Sequence, residues 1–102
     1  IDLVPLDRRP VAGVRYHAQT AWSVYTWLEA RRGEQAFDVV HVHEFQGHGY
    51  YTVLAKHLGL ALAGTSVVVT AHGPLRWART ANEGRLDTLV DAEVDFLEQQ
   101  SL

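Results

Sequence analysis

The chain has 102 residues, 47% of them apolar, with a formal charge of −3 when histidines are neutral. That bounds it to one globular domain and excludes a bulk basic field for nucleic acid. The absence of cysteine excludes disulfides, thiol catalysis and zinc–thiolate sites. No apolar run nears the roughly 20 residues that span a bilayer, and no signal-peptide pattern is present. A cytoplasmic location is the expectation, with which the lack of cysteine is compatible.

The chain opens at Ile1 and contains no methionine, which suggests a piece of a longer protein. "IDLVPL" (1–6) reads as a short strand that Pro5 weakens. "DRRPVAG" (7–13) reads as a loop. From Val14 the period changes: Val14, Ala18, Ala21, Tyr25 and Leu28 recur at three- and four-residue steps, with Trp22 beside them. That predicts one face of a helix of about 18 residues, ending near Arg31, Arg32 and Gly33. Basic residues in its last turn suit the helix dipole.

"FDVVHVH" is a β-branched run, and residues 38–43 are expected as a buried strand. "FQGHG" turns the chain, and "YYTVLAKHLG" reads as a helix closed by Gly59. "TSVVVTAH" (65–72) is the clearest strand, and "GPLRWARTA" (73–81) reads as loop. A last long helix is expected from Asn82, with Leu86, Leu89, Val90, Val94 and Leu97 as its apolar stripe. Asp87, Asp91, Asp95 and Glu98 would then form its solvated face.

Alternation of apolar strands with helices predicts an α/β domain with a parallel sheet and right-handed crossovers. Ligands of such sheets bind beyond the carboxyl ends of the strands. That rule points to two stretches, "HVHEFQG" and "TAHGPLRW".

His41, His43, Glu44 and His48 invite a metal reading. Side chains alternate along a strand, so His41 and His43 share a face, with Cα atoms roughly 6–7 Å apart. Two imidazoles can share a metal at that spacing, as the His-x-His pair of metal-dependent hydrolases does. The Asp-His pair that follows in the β-lactamase-like type is replaced here by Phe45 and Gln46. A structural or substrate-binding role is therefore the expectation, with no metal; a hydrolase fragment built on His41 and His43 is the alternative. His72 ends a strong strand before Gly73 and Pro74 and is expected at a cleft edge. His17 and His57 are expected as structural or solvated residues of helices. "GHGYY" lacks the spacing of a phosphate loop. Arg76, Trp77 and Arg79 form a basic-aromatic patch that could hold a phosphate or stack on a sugar.

"FDVVHVHEFQGHGYYTVLAKHLGL" and "VVVTAHGPLRW" together resemble the N-terminal Rossmann-like domain of GT-B retaining glycosyltransferases. That large family includes glycogen synthase and sucrose synthase. The likeness covers residues 37–77, with the flanking helices alike in order only. It implies an incomplete three-layer half of a GT-B fold. The parent enzyme would move a sugar from a nucleotide-diphosphate donor to a carbohydrate or other acceptor, with retention. It implies that His72 lies in the interdomain cleft near the donor sugar, in the catalytic position. His43 and Glu44 match the strand end on the acceptor side, and Gly47 the turn into the next helix. Gly73 and Arg76 are expected beside the substrate with them. The family typically needs no bound metal or other cofactor.

The chain departs from the family in lacking its first strand, its glycine-rich loop and the whole C-terminal domain. That domain carries the Glu-x7-Glu motif and the Lys and Arg that hold the diphosphate. The expectation is a fragment inactive alone, with open strand edges that favour a homodimer or a swapped arrangement. A non-catalytic α/β interaction module, docking through Asp87 and Asp91 of the last helix, is a further alternative.

Overall fold

A computed structural model describes residues 3–6, 9–33 and 37–102. Among the described residues the chain is a mixed α/β domain with four helices and a two-stranded parallel sheet. Helix α1 is Tyr16–Arg31, strand β1 is Val39–His43, and α2 is Tyr50–His57. Strand β2 is Ser66–Thr70, α3 is Leu75–Ala81 and α4 is Leu89–Ser101. A short 3-10 turn at Phe45–Gly47 joins β1 to α2.

The parallel register runs from Val39 opposite Ser66 to His43 opposite Thr70. Alternation sends Val40 and Val42 inward together with Val67 and Val69. They meet Leu28, Val24 and Trp27 of α1, and Phe37. A second cluster, Ala55, Ala61 and Leu62, joins through Tyr25 and Val67. Burying an aliphatic side chain of this size contributes about 1.5–3 kcal/mol, so these few side chains hold α1 and α2 on one face of the sheet. The opposite face, with Val39, His41, His43 and Val68, is exposed. Parallel sheets are ordinarily covered on both faces. Among the described residues this one is not.

The expected helix, strand, helix and strand over residues 14–72 are present within a few residues. Four expectations are corrected. Leu3–Leu6 form no strand, since they pair with neither β1 nor β2; Ile1 and Asp2 lie outside the described residues. The expected loop at 73–81 contains α3, which follows Pro74 and buries none of its residues. A helix without a buried stripe has no apolar period to read.

The last helix starts at Leu89, not Asn82. The Thr88 hydroxyl accepts from the Asp91 amide at 3.0 Å, and the Asp91 carboxylate accepts from the Thr88 amide at 3.2 Å. This reciprocal cap satisfies two donors at the helix start and sets the boundary. The acidic residues of α4 are also not the solvated face expected. Leu89 is 71% exposed, whereas Asp91 and Asp95 are 7% exposed and Glu98 1%. Of the expected stripe only Val94 and Leu97 are buried. Among the described residues no helix is long and apolar enough to cross a membrane.

Candidate functional site

The two strands end side by side, so their carboxyl ends form one wall. His41 and His43 project from the exposed face, their ring centroids 5.0 Å apart. His72, two residues past β2, lies edge-on to His43 with centroids 4.4 Å apart. The three imidazoles form a row that runs off the sheet. The His41 end is closed by a 2.5 Å contact between its Nε2 and the Thr70 hydroxyl. The His72 side chain is half exposed, so His43 and His72 form the accessible end.

Glu44 lies behind this row. It is 0% exposed. Its Oε1 accepts from the backbone amides of His72 at 2.5 Å and Gly73 at 2.8 Å. Its own amide donates to the Thr70 carbonyl at 3.2 Å, which extends the ladder past β1. The His72 Nδ1 stands 3.8 Å from Glu44 Oε2, beyond hydrogen-bond reach. That oxygen is buried and has no hydrogen-bond partner among the described residues. Glu44 therefore fixes the 72–73 backbone under the imidazole instead of lining an open surface.

Gly47 is needed at the turn. Its φ is +66°, and an added Cβ would overlap the Leu97 side chain and approach that residue's backbone carbon to 2.8 Å. Helix α4 thus lies directly on the strand end. Beside Gly47, Gln46 also has a left-handed backbone, φ +55°. Its amide donates to Glu98 Oε1 at 2.9 Å. The other Glu98 oxygen accepts from the Leu75 amide at 2.5 Å, at the start of α3. One buried carboxylate ties both post-strand turns to α4 and complements the α3 dipole.

Arg76 is engaged by Asp95 through two bonds, 2.9 Å and 2.5 Å. Arg79 donates to Asp91 at 2.9 Å. The hydrogen bond from Arg76, opposed by burial and helped by Gln99, holds the Asp95 carboxyl below its ordinary range. The Thr88 hydroxyl first, then Arg79, lower the Asp91 carboxyl in the same way. The Arg76 guanidinium is raised, first by its hydrogen bond to Asp95. The acidic face expected in solvent is instead the surface on which α3 docks. Trp77 is exposed, with its ring over Gly73.

The structure therefore brings His43, Glu44, His72 and Gly73 together at the strand ends. Gly47 and Arg76 flank that group on the α4 side. Sequence reasoning missed Glu98. The available signal was spacing: Asp91, Asp95 and Glu98 recur at helical steps on the same side as Val94 and Leu97. Arg76 and Arg79 carry the matching charges in antiparallel order. Among the described residues no group of three or more histidine or acidic side chains is arranged to hold a metal ion. Chemically, the wall offers three exposed imidazoles, that of His41 in contact with the Thr70 hydroxyl, over a backbone braced by a buried carboxylate. No family model matches the chain, and no curated protein or solved structure matches it.

Proposed function

We propose that this chain is part of the acceptor-side, Rossmann-like half of a retaining glycosyltransferase of the GT-B type. In this reading it works with a nucleotide-diphosphate sugar as donor and is inactive alone. The observation that carries the reading is the meeting of His43 and His72 at adjacent parallel strand ends, at 4.4 Å, with Glu44 bracing the His72 backbone. Ligands of open parallel sheets bind at such a place.

His72 would face the donor sugar and His43 the acceptor. Gly73 lets the chain leave the sheet at φ +112°, a conformation costly for other residues. Glu44 acts on substrate only through the position of His72. Departure of a diphosphate requires cationic stabilisation. Arg76 and Arg79 are engaged by Asp95 and Asp91, so that charge would come from a C-terminal nucleotide-sugar domain. Both outer edges of the two-stranded sheet remain open, among the described residues, to further strands of a parent chain or of a second copy.

The test is transfer and nucleotide release from a panel of nucleotide-diphosphate sugars by the full natural polypeptide. His72→Ala should lower turnover by about 100-fold, with an unchanged melting temperature. His57→Ala on the surface of α2 should leave turnover intact. Wild-type turnover in His72→Ala, or no transfer from any donor, would overturn the reading.

A further inference from the structure

The three imidazoles at the strand ends are exposed, but their nitrogens are not equivalent. His41 Nε2 is taken up by the Thr70 hydroxyl at 2.5 Å. The His43 ring touches its two neighbours and makes no hydrogen bond among the described residues. His72 Nδ1 faces two acceptors, the Thr70 carbonyl at 3.4 Å and Glu44 Oε2 at 3.8 Å. That Glu44 oxygen is buried without a hydrogen-bond partner among the described residues, so it calls for a donor. The donor need not come from solvent, because the imidazole already lies beside it. A ring nitrogen between two acceptors carries the proton, which leaves the lone pair on Nε2.

The spacing of the rings adds a second constraint. An ion shared by two imidazoles sits about 2.0–2.1 Å from each nitrogen. At square-planar or tetrahedral angles the ring centroids are then roughly 4.4–5.2 Å apart. His43 and His72 are 4.4 Å apart, with planes crossing at 80°. Both rings are exposed, so an ion reaches them from solvent. A ligating histidine commonly gives its other ring N–H to a carboxylate. Glu44 stands where that carboxylate is needed.

We propose that His43 and His72 bind one divalent transition-metal ion of the zinc, nickel or copper class. His72 ligates through Nε2 and gives its Nδ1–H to Glu44. Imidazole selects these ions over magnesium and calcium, which take oxygen ligands. Only two protein ligands are supplied, in keeping with the lack of a three-ligand group among the described residues. Water fills the other positions, so the ion is exchangeable and is not a structural metal. On the transferase reading such an ion would cover His72 and inhibit transfer. The binding itself does not rest on that reading.

The test is isothermal titration of the tag-free 102-residue chain with zinc, nickel and magnesium chlorides, without any sugar donor. Zinc and nickel should bind one ion per chain with micromolar affinity, and magnesium should not bind. His43→Ala and His72→Ala should each weaken zinc by at least about tenfold, with unchanged melting temperatures. Glu44→Gln, checked for folding by circular dichroism, should weaken it about tenfold. His41→Ala and His57→Ala should leave it unchanged. Proton–nitrogen correlation spectra of the zinc form should show His72 ligating through Nε2, with Nδ1 protonated. Absence of zinc binding, full affinity in His43→Ala, His72→Ala or Glu44→Gln, two chains per ion, or ligation through His72 Nδ1 would each overturn the proposal.

Discussion

The Glu44 carboxylate accepts the backbone amide of His72 at 2.5 Å, across the 28 residues that separate them in the chain. A fully buried side chain at the end of one strand thereby sets the exit of the next. Replacing Glu44 with Ala leaves the His72 and Gly73 amides without their acceptor. Unsatisfied donors of this kind cost about 1–3 kcal/mol each when buried. Glu44→Ala should therefore lose at least about 2 kcal/mol of unfolding free energy in urea. Glu44→Gln retains an acceptor oxygen and should lose about half as much. An alanine variant within about 0.5 kcal/mol of wild type would show that the contact carries no weight.

Gly47 and Gly13 separate two reasons for requiring glycine. Both have positive φ, +66° and +79°. An added Cβ at Gly13 meets nothing within 4 Å, whereas at Gly47 it enters Leu97, including its backbone. Gly13→Ala should cost about 1 kcal/mol from backbone conformation alone. Gly47→Ala should cost about 3 kcal/mol or more, because α4 must shift off the strand end. Equal melting temperatures in the two variants would contradict this packing.

Asp95 gives a pH signature. Its folded-state carboxyl is lowered by Arg76, so the unfolded chain binds protons more readily. Its stabilisation is complete above the ordinary Asp range near pH 4. It is lost as pH falls through the lowered folded value. The melting-temperature gap between wild type and Asp95→Asn should be constant from neutral pH to about pH 5 and close at lower pH. A gap that persists at about pH 2, or that opens on acidification, would refute the direction.

Thr52 is 0% exposed, and its hydroxyl has no partner among the described residues. Thr52→Val keeps the shape and removes that desolvated group. It should raise unfolding free energy by about 1 kcal/mol. A loss of stability in chemical denaturation would mean that the hydroxyl is hydrogen-bonded in solution.

Part of this structure could be read from residue order. The apolar period of α1 and the β-branched runs at 39–43 and 66–70 place two strands and two helices within a few residues. Local sterics and burial of alternate side chains determine those elements. The start of α4 was also legible, in the Thr88-to-Asp91 capping box, although the polar stretch from Asn82 obscured it. Helix α3 was not legible, because it buries no residue of its own. It is held by Arg76, Arg79 and the Leu75 amide, all bound to carboxylates of α4.

The histidines divide in the same way. Alternation along β1 places His41 and His43 on one face from sequence alone. The contact between His43 and His72 requires β1 and β2 to be parallel neighbours in register, which no local rule decides. The sequence by itself determined which segments become strands and which residues mark their carboxyl ends. The tertiary structure alone decided that Glu44, Asp91, Asp95 and Glu98 turn inward. Burial of a carboxylate is costly unless donors are waiting. Those donors are backbone amides and guanidiniums 12 to 52 residues away in the chain, brought into place by the pairing of β1 with β2 for Glu44 and by the closing of α3 and α4 over the strand ends for the others.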